Sequence, residues 1–222
     1  MNTPKIKWIT LFLLLVLPGI LYFYITRGSN NFVHLEVIGP EGHHIPEFRF
    51  INQNSDTITN LDYTNNIYVA NFFFTSCPTI CPIMIYNMRN LQQELKVYPN
   101  IKFLSHTVDP INDTPERLLY YAKEMRVNLT NWNFVTGDKQ ELYGIAPFYF
   151  ANASLDSLAP GGFLHSEYFI LVDKEGRVRS GVDQQGNVVG VYDGTKDLDI
   201  KDLANDIKVL MAEYNKPMKN ED

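Results

Sequence analysis

Cys77 and Cys81 are the only two cysteines of the 222-residue chain, and they stand four positions apart in Phe74-Thr75-Ser76-Cys77-Pro78-Thr79-Ile80-Cys81-Pro82. Two cysteines cannot build a disulfide framework; at this spacing they form a site. The segment reads as a strand turning into a helix, where an i, i+4 pair can put both sulfurs on one side of the first helical turn. Each cysteine precedes a proline, which pushes it toward extended backbone. Pro78 and Pro82 carry no N–H, so the thiols meet a partly uncovered helix N-terminus, whose partial positive charge favours thiolate over thiol. Metal binding and disulfide exchange both require a thiolate, so the pair alone leaves the two open. The plainer reading, two structural cysteines beside apolar Ile80 and Ile83, explains the flanking prolines poorly.

The histidines weigh toward a metal. His165 follows Pro160-Gly161-Gly162-Phe163-Leu164 and directly precedes a predicted strand, Tyr168–Val172. A polar side chain in such a glycine loop, beside a strand, can face the cysteine turn. The other four read more plainly. His43 and His44 sit in the Gly42–Pro46 turn as surface residues, His34 alternates outward, and His106 lies inside a predicted buried strand as a hydrogen-bonded core residue. Two thiolates and one imidazole make a soft, low-coordinate set that suits Cu(I), while the imidazole also tolerates Cu(II). Structural zinc would take a fourth protein ligand, and there is no third cysteine.

The elements that must hold these residues follow from patterning. Phe32–Ile38 is an extended segment and Phe48–Asn52 with the turn after it a hairpin arm. Ile67–Thr75 is a continuous apolar, aromatic run, as expected of a central strand buried on both faces. Ile83–Val97 has helical spacing, with Met84, Met88, Leu91 and Leu95 on one stripe. Ile101–Val108 is the next buried strand. Thr114-Pro115-Glu116 opens a helix that runs to about Met125, with Thr114 as N-cap. Trp132–Thr136 is a strand, Lys139–Ile145 a short helix, and Ala146–Phe163 irregular. Tyr168–Val172 and Arg177–Ser180 form a hairpin, and a last helix follows a capping Asp199. This order predicts an α/β fold with a central mixed sheet flanked by helices. Ile67–Thr75 and Ile101–Val108 lie parallel through a right-handed crossover. Ligand sites gather beyond the carboxyl ends of such strands, where the cysteines fall.

The N-terminus reads differently. Lys5 and Lys7 precede an apolar run from Trp8 to Ile25, which reaches roughly 27 Å at about 1.5 Å per residue, enough to cross a hydrocarbon core. The run ends in aromatic residues with no small-residue cleavage site, which favours an uncleaved transmembrane helix over a signal peptide. Two lysines before it against Arg27 after it put the N-terminus in the cytoplasm and the rest on the exterior or periplasmic side. A net charge of −6, with no basic cluster, argues against nucleic acid as a partner. The expected layout is residues 1–27 as cytoplasmic tip and anchor and 28–44 as linker and extension. Residues 45–215 form the globular domain and 216–222 a tail.

The run Asn71–Met84 resembles the signature of the Sco/SenC family, and Val108-Asp109-Pro110-Ile111-Asn112-Asp113-Thr114-Pro115-Glu116 resembles that family's Asp-Pro…Asp-Thr-Pro segment. Trp132–Gly137 and His165–Gly176 match in kind and order, and the similarity covers roughly residues 45–215. The resemblance implies a thioredoxin-like fold and a copper chaperone that serves the CuA site of cytochrome c oxidase. Carried onto this sequence, it makes Cys77, Cys81 and His165 the copper ligands, with Asp109 a carboxylate close behind the site; the i, i+4 spacing separately lets Cys77 and Cys81 close as a redox-active pair. Many members have an acidic residue before the ligand histidine, where Leu164 stands here. The implied partners are the CuA-bearing oxidase subunit, a thiol reductant or copper donor protein, and the membrane. The competing reading is an exported thiol–disulfide oxidoreductase, though such enzymes use C-x-x-C rather than C-x-x-x-C with a placed histidine. A peroxidase-like enzyme of the same fold would need a different setting around one cysteine. A metal-free interaction module would leave the cysteines without a purpose.

Overall fold

The computed structural model describes residues 3–28, 34–155, 163–183 and 186–215. They belong to two compact units, Met1–His34 and Leu35–Asp222.

The first unit is built on one helix, α1 (Thr3–Gly28), with Pro18 inside it. Leu11, Phe12, Leu13 and Leu14 are all exposed. Four consecutive helix positions go round the whole circumference, so this stretch has no polar face. The helix predicted over the Trp8–Ile25 run is present. Among the described residues, however, no helix is long and apolar enough to cross a membrane.

The second unit contains β1 (Glu36–Val37), β2 (Arg49–Asn52), β3 (Thr57–Thr59), β4 (Ile67–Phe73), α2 (Ile80–Glu94), β5 (Ile101–Thr107), α3 (Pro115–Glu124) and β6 (Trp132–Thr136). It continues with α4 (Lys139–Ile145), β7 (Ala153–Leu155), β8 (Phe163–His165), β9 (Tyr168–Val172), β10 (Val178–Ser180), β11 (Tyr192–Asp193) and α5 (Asp197–Tyr214). The main sheet runs β1-β10-β9-β4-β5-β6-β2-β3, with β11 also paired to β9. β4, β5 and β6 are parallel to one another, and β9, β10, β2 and β3 join antiparallel. This is the mixed α/β sheet that the patterning requires.

β4 is buried at every position, which explains its unbroken apolar run. Because β4, β5 and β6 step in one direction across the sheet, right-handed crossovers put α2 and α3 on the same face. There Phe73 meets Tyr121 of α3 at 5.7 Å and Phe134 at 5.3 Å between ring centroids. On the other face Phe72 stacks on His106 at 4.8 Å and meets Tyr149 edge-on. Each fully buried ring contributes about 2–3 kcal/mol relative to exposure.

Local signals set the boundaries. The Thr114 hydroxyl accepts from the Arg117 amide, with Pro115 in the first turn of α3, as predicted. Asp138 caps α4 by accepting from Gln140 and Glu141 amides at 2.8 and 3.1 Å. Three expectations need correction. α5 starts at Asp197, so Asp199 lies inside its first turn and accepts from the Asp193 amide instead of capping. The predicted extended segment Phe32–Ile38 narrows to β1, its first residues lying outside those described. β1 pairs with β10 and falls in the compact unit Leu35–Asp222, within the 28–44 stretch expected as linker and extension. Finally, the irregular stretch after α4 contains a 3-10 turn, Ala146–Tyr149, and the β7–β8 hairpin, a sheet separate from the main one.

Candidate metal centre

Beyond the carboxyl end of β4 the chain makes a turn in which the Cys77 amide donates to the Phe74 carbonyl at 3.3 Å. α2 then begins at Ile80 with Thr79 in the N-cap position. The cysteines therefore do not share a helical turn, as the spacing had suggested. Cys77 lies in the loop, and Cys81 is the second residue of the helix. Thr79 makes no side-chain cap; its hydroxyl lies 3.7 Å from the Cys77 sulfur. Both cysteines are buried thiols, Cys77 at 7% exposure and Cys81 at 0%, and the two hydrogen-bond to each other.

The electrostatics also differ from expectation. Burial pushes the Cys81 thiol far above its ordinary pKa, and contact with Cys77 and the charge of Asp113 push the same way. Desolvation here outweighs the partial charge of the helix terminus, so without a cation the inner sulfur is held as a thiol. A cation placed between the sulfurs would reverse that balance.

Asp113 is the residue that sequence reasoning passed over. It is fully buried, and its carboxylate accepts from the Thr75 amide at 3.2 Å, the Thr75 hydroxyl at 2.5 Å and the Thr107 hydroxyl. Arg117 in turn donates through Nε to the Thr75 hydroxyl at 3.0 Å. Burial raises the Asp113 pKa, while the threonine hydrogen bonds oppose the rise. The network fixes the last residues before Cys77 to the loop that follows β5. Its signal lies in Asp113-Thr114-Pro115, which matches the Sco/SenC segment and reads from Thr114 as a helix start, without giving Asp113 a part in the site. Tyr121 of α3 is buried too, and burial raises its pKa.

Asp109, expected close behind the site, is buried at 3% exposure. Its carboxylate accepts from Asn112 Nδ2 at 2.8 Å, and its carbonyl accepts from the Asn112 and Asp113 amides. It shapes the loop that presents Asp113.

His165 closes β8, its backbone paired with Ala153 of β7. Its side chain lies outside the described residues, as do the side chains of β7 and β8 generally. Among the described residues no group of three or more His, Cys, Asp or Glu side chains is placed to hold a metal. The described donors are thus the two sulfurs. His34 and His44 are exposed, as read. His43 is half-buried against Phe148 and Phe150. His106 is buried, as predicted, but among the described residues neither ring nitrogen has a hydrogen-bond partner.

The SCO1/SenC family model matches residues 38–198. The chain belongs to the SCO1/SenC family. A SCO1/SenC family lipoprotein from Bacillus anthracis superposes with a TM-score of 0.67 at 27% identity, covering 79% of this chain and 99% of that one. BsSco, a member of the Sco family of cytochrome c oxidase assembly proteins in which a disulfide switch was identified, superposes at 0.65 with 28% identity, covering 79% and 97%. The Arabidopsis thaliana ScoI, solved with copper bound, shares the fold at 0.59 and 21% identity over 76% of this chain and 98% of that one.

Proposed function

We propose that this chain is a membrane-anchored copper chaperone that serves assembly of the CuA centre of cytochrome c oxidase. One copper ion is its cargo, held by Cys77, Cys81 and His165. The observation that carries this reading is the buried, mutually hydrogen-bonded thiol pair beyond the carboxyl end of β4. Two converging sulfurs with one nitrogen fit a soft ion of low coordination number, and Cu(I) in particular. Membership of the SCO1/SenC family supports the assignment, and the copper-bound ScoI shows that a protein of this fold takes up the ion.

Each residue has a distinct part. Cys81, fully buried, supplies the inner donor; Cys77, slightly exposed, supplies the side from which copper arrives and leaves. Asp113 holds Thr75 and so the backbone that presents Cys77, and Asp109 orders the loop behind it. His165 adds the nitrogen that makes Cu(II) acceptable as well as Cu(I). Although no described helix meets the length and apolarity needed to cross a membrane, the N-terminal segment that includes α1, apolar on every side over Leu11–Leu14, serves as the membrane anchor, with residues after Arg27 exported. The Bacillus anthracis relative is a lipoprotein, which supports attachment to a membrane, there through a lipid.

The deciding experiment is copper titration of the reduced protein. One ion per chain is expected, with a visible thiolate-to-Cu(II) charge-transfer band. Absence of that band at stoichiometric copper would remove the cysteines from the site.

A second reading, thiol–disulfide exchange with the cysteines of the oxidase subunit, is favoured by the direct thiol-to-thiol contact. It needs the same two sulfurs and is compatible with copper delivery by the same protein.

A further inference from the structure

β7 and β8 are three residues each and form a two-stranded sheet apart from the main one. Hairpins of that size are marginal on their own, so the position of this one must be fixed at its base. The first rung of the base is known: the Asn152 amide donates to the Ser166 hydroxyl, and the Ser166 amide to the Asn152 carbonyl, both at 3.3 Å. Just before it lies the 3-10 turn Ala146–Tyr149, ended by Phe150 in the left-handed region at φ 55°.

This turn is gripped from both sides. Tyr149 points inward, its hydroxyl 3.1 Å from that of Tyr68 and its ring against Phe72 and His106. Phe148 and Phe150 point outward, and His43 covers them. Its ring centroid lies 6.1 Å from Phe148 and 4.8 Å from Phe150, and its Nε2 is 2.9 Å from the Phe148 carbonyl oxygen. A carbonyl only accepts, so Nε2 carries the hydrogen. The loop that bears His43 is built for this approach. Its amide donates to the Pro40 carbonyl, and a Cβ on Gly39 would stand 2.8 Å from the His43 ring.

We propose that His43 is a positioning residue for the β7–β8 hairpin and, through its backbone, for His165. The hairpin part stands on the geometry alone; the part concerning His165 rests on its proposed role as a copper donor. The imidazole acts as an outer clamp opposite Tyr149, and only Ala151 and Asn152 separate Phe150 from β7. A shift of Phe150 therefore passes directly into the rung from which the hairpin extends.

The test is amide hydrogen exchange on the full-length, reduced, copper-free protein. His43→Ala should speed exchange in β7, β8 and Ser166 about tenfold, the loss expected for one hydrogen bond with its packing, and leave β4 and β5 at wild-type rates. Gly39→Ala, which presses on the ring without removing it and also strains the turn at φ 105°, should do the same. His43→Gln, which keeps an N–H donor, should recover most of the protection. Unchanged exchange in the hairpin overturns the proposal, and so does an even rise across β4 and β5, which would make His43 a general stabiliser. Cu(II) titration then reads the link to His165. His43→Ala should weaken Cu(II) uptake several-fold, and His43→Gln should restore it. Wild-type Cu(II) affinity beside a loosened hairpin overturns that link. Should the wild-type protein take up no copper, the chaperone reading fails, and hydrogen exchange alone upholds or overturns the clamp.

Discussion

The amide and the hydroxyl of Thr75 both donate to the carboxylate of Asp113, at 3.2 and 2.5 Å. The turn that leads to Cys77 is thereby tied to the loop before α3. Asp113→Ala would strand a backbone N–H and the Thr107 hydroxyl in a site sealed from water. Each such group costs about 1–3 kcal/mol, so a total loss of roughly 2–4 kcal/mol is expected. Asp113→Asn, which keeps an accepting oxygen and the shape, should lose less. Urea unfolding monitored by circular dichroism measures both, and a wild-type midpoint for Asp113→Ala would dissolve the network as an account of the turn.

His106 gives the protein a specific acid sensitivity. Burial holds its folded-state pKa down to about 3, against about 6.5 for a free imidazole. Between those values the unfolded chain binds the proton and the folded chain does not. Stability is therefore complete above about pH 6.5 and falls as pH drops toward 3, by up to about 1.4 kcal/mol per pH unit. His106→Phe removes this proton uptake and should flatten the acid limb of the stability curve by about 3 kcal/mol between pH 6.5 and 4. Parallel acid limbs in the two proteins would show that His106 is not the group responsible.

The sequence disclosed those parts of the fold whose local chemistry has a single outcome. β6 and β9 fall at the predicted residues, and α3 begins where Thr114 and Pro115 said it must. Asp199 misled because an aspartate early in a helix also favours the N-terminal charge without being the cap. The cysteine pair was legible as a site, but its electrostatics were not. Spacing suggests a helix N-terminus that lowers thiol pKa, whereas three-dimensional burial and the charge of Asp113 raise it. His43 was read as surface because its partners, Phe148 and Phe150, lie more than a hundred positions away and no periodicity links them.

His165 and His44 should respond differently to substitution. His165→Ala is expected to impair Cu(II) uptake far more than Cu(I), since two thiolates can hold Cu(I) linearly while Cu(II) wants nitrogen. The exposed His44 ring hydrogen-bonds only the nearby Gly42 carbonyl among the described contacts, so His44→Ala should change neither. Competitive titration with chelators for each oxidation state makes the comparison. Equal Cu(II) losses for the two variants would take His165 out of the site.

The anchor is tested by fractionation. If α1 holds the protein in the membrane uncleaved, the chain should stay with membranes through a carbonate wash and keep its N-terminal residues. A released protein that begins after Arg27 would replace the anchor with a cleaved leader.

The two sulfurs cannot be bridged to each other and coordinate a metal at once. On the exterior side proposed above, thiols meet oxidants, and the Cys77 side chain is a hydrogen-bond partner of Cys81, so a reversible disulfide is expected whenever neither reductant nor copper holds the pair open. Copper loading must then follow reduction. The difference in burial assigns the order of events: an external thiol approaches at Cys77, a residue with 7% exposure, while Cys81 is fully enclosed. Reduction should therefore pass through a mixed disulfide at Cys77, with Cys81 leaving as the thiol. Cys81→Ser should accumulate that adduct with a small disulfide reagent, whose second sulfur leaves as a thiol, and Cys77→Ser should not. Side by side, the dithiol form should take up one Cu(II) and the disulfide form none. Indistinguishable uptake by the two forms would refute the gate, and with it coordination by both sulfurs.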